Sequence, residues 1–477
     1  MDWVTCAYSA ACSGIAHQPY DRCLAHLQPD EVAERLDEMA PGRLLDLRGT
    51  PISGALLGRI LEVTGGRPGR ARLDRVTFTG DVRLSGVTFA GDVSLDGARF
   101  ERLASFFGAR FEGNVSLAGA GFARELSFHG VRVRGHVSLD RAVMSRDALF
   151  SQAVFGHGLS CERARFDGYA TFDGAALGDG ANFRGARFGR TLSFRKVSGP
   201  AGFDTAHFAA DAYLSVTGRL SASRARADGT LDVAVASGRA NLRRMEVSGG
   251  TTIRLVDSDA DLEGSVLRGP AIVTGRGGSA LTSLRHVDAA DLALFGLDLS
   301  GCRFAGLARP AAVRVKNCTF ALTPRGVRVS LHWPMLRWFS RRSALADEHT
   351  MRGWAPPVPA PDQGPANRPA AHGAPMGAQD PPAGPDRLAA LYSGLRGQVD
   401  DVGTSADFAF AAMEMRRQAG RRWWLSLSWL LWGYGMRMGR AAGWLVLLMA
   451  ITVAALFWTS TSHAERGAEQ PAPAVHP

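Results

Sequence analysis

The chain has 477 residues, is 46% hydrophobic and carries a formal charge of +10, with Lys196 and Lys316 as its only lysines among many arginines. That length is too great for one ordinary compact domain. An arginine bias of this kind fits a GC-rich genome better than a phosphate-binding design.

Residues 1–28 hold Cys6, Cys12, Cys23 and His26. Three thiols and an imidazole can close the tetrahedral shell of a structural Zn²⁺. The two-residue gap of Cys23-Leu24-Ala25-His26 is that of a metal knuckle, whereas the five-residue gap from Cys6 to Cys12 is less usual. His17 is an alternative fourth ligand, and a set of free thiols is the competing reading. Four protein ligands leave no open position, so the expected zinc is structural. The opening residues lack the basic start and continuous apolar run of a signal peptide. The repeat region is therefore expected in the cytosol, with its thiols reduced.

Residues 29–72 form an expected helical cap and first rung. Proline at the first turn and acids at the positive end favour a helix from Pro29. Leu44 to Gly49 reads as a first rung, residues 53–63 as a short apolar helix over the open end, and residues 67–72 as a loop. A bare terminal coil would expose core and strand edge, so such a cover is needed.

From about Val76 to Phe208 large apolar residues recur every eleven positions in two interleaved series. One includes Phe78, Phe89, Phe100, Phe111, Phe122, Phe155 and Phe166. The other includes Leu84, Leu95, Phe106, Leu117, Phe128, Phe150 and Phe172. A small or branched apolar residue sits two places before most centres, as in Ala98 before Phe100 and Val115 before Leu117. Residues two apart in an extended chain face the same side. Alternating steps of five and six match neither a helix nor unbroken alternation, but they do match short extended pairs joined by corners. Such a fixed short period marks a solenoid whose units bury their apolar faces only by stacking.

Units such as Ala109-Arg110-Phe111-Glu112-Gly113 and Ala164-Arg165-Phe166-Asp167-Gly168 resemble the pentapeptide-repeat family, in a phenylalanine-rich variant with an eleven-residue period. The resemblance implies a mainly β, right-handed four-sided β-helix, two units making one coil. The expected β-helix spans 73–322, regular to about 208 and degenerate after. Leu220, Leu231, Leu242 and Ile253 keep the eleven-residue step, and Leu292, Leu297, Cys302 and Leu307 run at a strict step of five. Cys161, Cys302 and Cys318 fall at apolar centres as core filler.

Residues 323–354 are basic and carry Trp333 and Trp338, and 355–385 are rich in Pro, Ala and Gly without periodicity, the composition of a disordered linker. Helices are expected over 386–399 and 405–420, the second starting at a Thr404-Ser405 cap. Together, as 386–420, they resemble the helical hairpin that precedes the membrane segment in membrane-bound bacterial pentapeptide-repeat proteins. Residues 421–440 read as an interfacial amphipathic segment. Residues 441–458 are eighteen positions without a charge, about 27 Å as a helix and enough for one crossing. Arg416, Arg417, Arg421, Arg422, Arg437 and Arg440 precede it and only Arg466 follows, which places the bulk of the chain in the cytosol and 459–477 outside.

No catalytic constellation emerges. Asp81, Asp92, Asp96, Glu112, Asp140 and Asp167 are scattered outward positions, and His129, His136, His157 and His207 stand apart. Gly433-Tyr434-Gly435 lacks the preceding residues and second crossing of a potassium filter. Instead a polar column appears, from Ser94, Ser105, Ser116 and Ser127 through Ser138, Ser160, Thr171, Asn182 and Ser193, whose alternate members are expected to stack. Arg165 and Arg187 would form a basic stripe on one side, Arg110 and Arg132 on the opposite one. The reading is a non-enzymatic, membrane-tethered scaffold for a protein partner. Nucleic-acid binding, an oligomeric pore and a small-molecule substrate are the disfavoured alternatives.

Overall fold

A computed structural model of the chain describes residues 3–324, 326–329, 336–339, 341–354, 383–420, 443 and 445–456. Its body is a β-solenoid. Two-residue strands alternate with sharp corners, and each strand pairs in parallel with the strand one coil away. Arg110–Phe111 pairs with Thr88–Phe89 below and Arg132–Val133 above, so that two eleven-residue units make one coil. Four faces arise in chain order, here numbered from Ala71–Arg72 on face I, through Thr77–Phe78 on face II and Val82–Arg83 on face III, to Thr88–Phe89 on face IV. Face I is a ladder of twelve strands among the described residues.

The period follows from packing. Each centre points inward and stacks on its equivalent one coil away. Phe100 lies 4.7 Å from Phe78 and 4.6 Å from Phe122 on face II, while Phe128 lies 4.6 Å from Phe106 and 5.4 Å from Phe150 on face III. Ala98, Val115 and Ala164 lie inside beside them. Small residues two places before each centre leave room for the ring, and this is why the eleven-residue motif alternates small and large. Cys161 and Cys302 are buried in the same core, whereas Cys318 is partly exposed.

The second half departs from the expected geometry. Beginning with Leu192–Ser198, one strand runs through the corner between faces III and IV and pairs with both Ala170–Thr171 and Ala176–Leu177 below. Ala212–Thr217, Leu231–Ala236 and Thr251–Val256 stack on it in turn. A coil then has one long and two short strands, and it is shorter by two or three positions: Arg187 pairs with His207, and His207 with Arg226. Leu220, Leu231, Leu242 and Ile253 are all buried, but their eleven-residue step no longer equals half a coil. Leu220 pairs with Ala240 and Leu231 with Thr251. Removing a corner shortens the path, so the sequence period and the structural period separate there. Parallel pairing continues to Val313–Lys316.

Both ends are covered. At the first end, α1 (Pro29–Asp37) starts at a capping box of Gln28 and Glu31, and α2 (Gly54–Val63) starts where Ser53 accepts from Leu56 N–H. Ile60 of α2 is buried in the core. Ala71–Arg72, expected as loop, is already a strand of face I paired with Leu45–Asp46. A narrow apolar cavity remains under α2, lined by residues such as Leu47, Ile60, Phe78 and Phe89.

At the other end, α3 (Ala346–Arg352) lies inside the segment read as merely basic. The helical hairpin that follows differs from expectation in bounds and in place. α4 covers Pro385–Leu395 and α5 covers Val402–Ala419, the latter capped by Asp401, which accepts from Thr404 N–H at 2.7 Å, rather than by Thr404-Ser405. The hairpin packs on the last coil instead of standing off beyond a linker: Val315 N–H donates to Gln398 O at 2.9 Å, Asp400 N–H donates to Val315 O, and Phe408 packs edge-on against Phe320 at 5.0 Å.

Gly326–Val329 and Leu336–Phe339 pair antiparallel. Trp333, most of the linker at 355–382, the whole of 421–440 and the flanks of the expected crossing at 441, 442, 444 and 457–477 lie outside the described residues. Residues 445–456 are helical, with Leu445, Leu448, Ile451 and Leu456 exposed. Among the described residues, no helix is long and apolar enough to cross a membrane.

Candidate metal centre

Residues 3–28 fold as a loop pair closed by the bridges Thr5 to Ile15 and His17 to Arg22. Cys6 N–H donates to Gly14 O at 2.7 Å and Cys12 N–H to Ser9 O at 3.0 Å, which turns both thiols toward the second loop. Cys23 leads into the single 3₁₀ turn Leu24–His26, so Cys23 and His26 fall on one side. Gly14 is required here: a Cβ at that position would stand 2.6 Å from Cys23 Cβ. The loops sit on the first coil through Ile15 N–H to Arg48 O at 2.7 Å and Ser13 Oγ to Gly49 O. Leu24 and Leu27 enter the solenoid core.

Cys6, Cys12, Cys23 and His26 converge, all four ligand atoms lying within 4.8 Å of one another. A zinc ion bonded at about 2.3 Å to sulfur and about 2.0 Å to nitrogen sets tetrahedral edges of about 3.8 Å between sulfurs and about 3.5 Å from sulfur to nitrogen. The observed Cys12 to Cys23 sulfur separation is 3.7 Å, and His26 Nδ1 lies 3.5, 3.4 and 3.3 Å from the sulfurs of Cys6, Cys12 and Cys23. These four edges fit the shell of a single Zn²⁺, and the cysteines are free thiols. Tyr8 stacks on His26 with centroids 4.0 Å apart, which fixes the imidazole plane. His17, the alternative ligand, is outside this group: its Nδ1 faces Arg35 Nη2 at 3.3 Å.

The thiols differ. Burial opposes ionisation of Cys6, but the N–H groups of Cys23 and Tyr8 and the side chains of His26 and Cys23 bring it down to about 7. Burial, then the neighbouring Cys12 and Cys6, push Cys23 up to about 12. A bound dication would reverse that repulsion, since a coordinating thiol is deprotonated outright. Such a centre would hold two loops together and offers no open position for a substrate.

The outward acids and histidines singled out in the sequence lie apart from one another along the coils, each engaged with a neighbouring residue. Asp92 accepts from Asn114 N–H and Asp140 from Glu162 N–H, each one coil above, at 2.9 and 2.8 Å. Asp96 takes Ala118 N–H and the Ser116 hydroxyl, while Asp81, Glu112 and Asp167 pair with Arg83, Arg134 and Arg165. His136 meets His157 O, His157 meets Asp179, His207 meets Asp228 and His129 stacks on Phe107. The hydroxyl columns stack as expected, Ser94, Ser116, Ser138 and Ser160 in register on face I.

One charged cluster escaped the sequence reading. Glu348 in α3 is fully buried and accepts from Arg342 at 2.7 and 2.8 Å, from Arg352 at 2.7 Å and from the Tyr392 hydroxyl at 2.6 Å. Its neighbour Asp347 points the other way and accepts from the backbone of Phe304 and Ala305 in the last coils. Adjacent acids in the first turn of a short helix were the only local signal.

Residues 84–132 and 128–176 match the family profile described as pentapeptide repeats (9 copies). No curated protein and no solved structure matches the chain. With the stacked coils described above, the match marks residues 84–176 as pentapeptide repeats within a β-solenoid.

Proposed function

We propose that this chain is a non-enzymatic scaffold: a stiff β-solenoid, closed at one end by a structural zinc and tethered to a membrane at the other, that presents its faces to a protein partner. The observation that carries the reading is how the outward residues are engaged. The carboxylates, hydroxyls and histidines named above bond to the adjacent coil or to a neighbouring arginine, so the surface is built to be repetitive and rigid. The tether is supported by the exposed apolar side chains of 445–456 and by the arginines that precede them.

Two measurements test this. Membranes from cells making the full chain, washed in alkaline carbonate, are expected to retain it, and release into the supernatant would remove the tether. Photo-crosslinkers placed singly on faces I to IV are expected to give one saturable protein adduct confined to one face. Turnover of a substrate that is lost on changing one outward residue would replace the scaffold reading with an enzyme.

A further inference from the structure

The solenoid carries one coil whose positive charge is uncompensated. Between Arg184 and Lys196 lie Arg184, Arg187, Arg190, Arg195 and Lys196 and not one acid. Arg184, Arg187 and Arg190 are exposed and cross the whole width of face II: Arg184 at the corner entering it, Arg187 at its centre, Arg190 at the corner leaving it. Along the axis, parallel register sets Arg165, Arg187, His207 and Arg226 in one outward column. Column and row intersect at Arg187. The carboxylates nearby are already engaged. Asp167 pairs with Arg165, Asp228 with Arg226 and His207, Glu162 with Arg163, and Asp204 accepts from the Ser221 hydroxyl and Ser223 N–H. No carboxylate ion-pairs with Arg184, Arg187 or Arg190 among the described residues. On face I the equivalent column is Ser138, Ser160 and Asn182, without charge.

We propose that face II around Arg184, Arg187 and Arg190 is a docking surface for the anionic phospholipid headgroups of a bilayer, so that the solenoid lies with this face against the membrane. A β-solenoid face is a flat sheet whose outward side chains share a plane, with coils about 4.8 Å apart. Guanidinium groups in a plane suit a planar array of phosphodiesters, and a lipid surface attracts each one independently. A nucleic-acid duplex curves away from such a plane. The choice of a bilayer as the source of phosphate rests on the tether proposed above.

The test uses the full chain mixed with phosphatidylcholine vesicles, with and without a minority of phosphatidylglycerol, and compares diethylpyrocarbonate labelling of His207 on face II with that of His136 at the opposite corner. Flotation on both vesicle types, with His207 shielded and His136 unchanged only when phosphatidylglycerol is present, is the expected result. Replacing the arginines together (Arg184→Ser, Arg187→Ser, Arg190→Ser) should weaken the shielding about a hundredfold in anionic lipid concentration. Arg110→Ser with Arg132→Ser on face IV should leave it unchanged, and three Arg→Lys changes should keep most of it. Flotation on both without shielding of His207 overturns the face and leaves the tether. Flotation only on anionic vesicles, with His207 shielded, keeps the face and removes the tether, and flotation on neither removes both. Shielding by a short DNA duplex and not by anionic vesicles would assign the face to nucleic acid and overturn the proposal.

Discussion

At the corner between faces I and II the backbone is left-handed coil after coil, and the residue found there is mostly of two kinds. Gly97, Gly119, Gly185 and Gly264 have φ from 66 to 70°, but Arg75, Arg141, Arg163, Arg224 and Arg244 hold φ from 54 to 58°. A side chain in that region costs roughly 1–2 kcal/mol, part of which glycine gives back through the greater freedom of its unfolded chain. Arg141→Gly is therefore expected to stabilise the solenoid by about 0.5 kcal/mol or more in guanidinium unfolding. Equal or lower stability would mean that the arginine stem holds the neighbouring coil. The cluster of Cys6, Cys12, Cys23 and His26 makes a second prediction at this scale. The purified chain should hold one zinc per molecule by metal analysis, and Cys23→Ser or His26→Ala should lose it. A chelator should increase hydrogen exchange in residues 3–28 because structural zinc is coupled to local folding. Retention of full zinc by Cys23→Ser would dismiss the site. That these four residues would come together was legible in the sequence, because metal-binding chemistry is carried by residue type and local spacing. The choice between His26 and His17 was not, since it turns on Arg35, in a helix beyond the knuckle.

Among the elements, α3 is the one whose loss reaches furthest. Its two adjacent acids hold different bodies, Asp347 the last coils and Glu348 the hairpin, so it joins solenoid to hairpin. Glu348→Ala removes the carboxylate that the buried Arg342 hydrogen-bonds and should cost about 3–5 kcal/mol in hairpin docking, read as faster exchange of α5 amides with the early coils unchanged. The same group gives a pH dependence. Burial raises the Glu348 carboxyl, but Arg342 and Arg352 outweigh it and hold it below the usual range, and Glu414 is held down likewise by Arg417. A depressed folded value means stability present above the ordinary glutamate range and lost as pH falls through the folded value. Asp347, raised by burial, works in the opposite sense, so the hairpin should undock in acid less steeply than the two glutamates alone would dictate. Glu348→Gln should flatten the acid limb further. A wild-type hairpin indifferent to acid would contradict this account. The two helices were expected at 386–399 and 405–420, close to where they lie, but their docking was not. Amphipathic spacing says that a face is covered and does not name what covers it.

For the whole molecule, the repeat was legible where every coil keeps four corners and faded where a strand runs straight through one. The family profile covers residues 84–176, and the long strand that changes the coil begins at Leu192. A deletion of residues 423–477 should leave the solenoid intact, because its core is internal to its coils and both ends are closed by elements before that point. Circular dichroism and exchange matching the full chain in residues 45–316 would bear this out, and collapse of the early coils would refute it. Topology follows from the proposed tether: a reporter fused after Pro477 should read as external and one at Met1 as cytosolic. Two cytosolic ends would require the 423–435 segment to enter the bilayer as half of a hairpin.

The ladder of in-register coils also decides how the molecule would bear load. Its backbone hydrogen bonds run along the long axis, so a pull between the ends opens them one coil at a time, whereas a push closes the rings of Phe100, Phe122 and their neighbours on one another. The body is a strut and a poor rope. Twelve face I strands at about 4.8 Å per step hold the knuckle and the hairpin roughly 50 Å apart. Under tension in an optical trap, extension should come in jumps of one coil, the span from Thr88 to Arg110 in the first half and the shorter span from His207 to Arg226 in the second. The change in jump size would mark, in a single trace, the coil where a corner was removed.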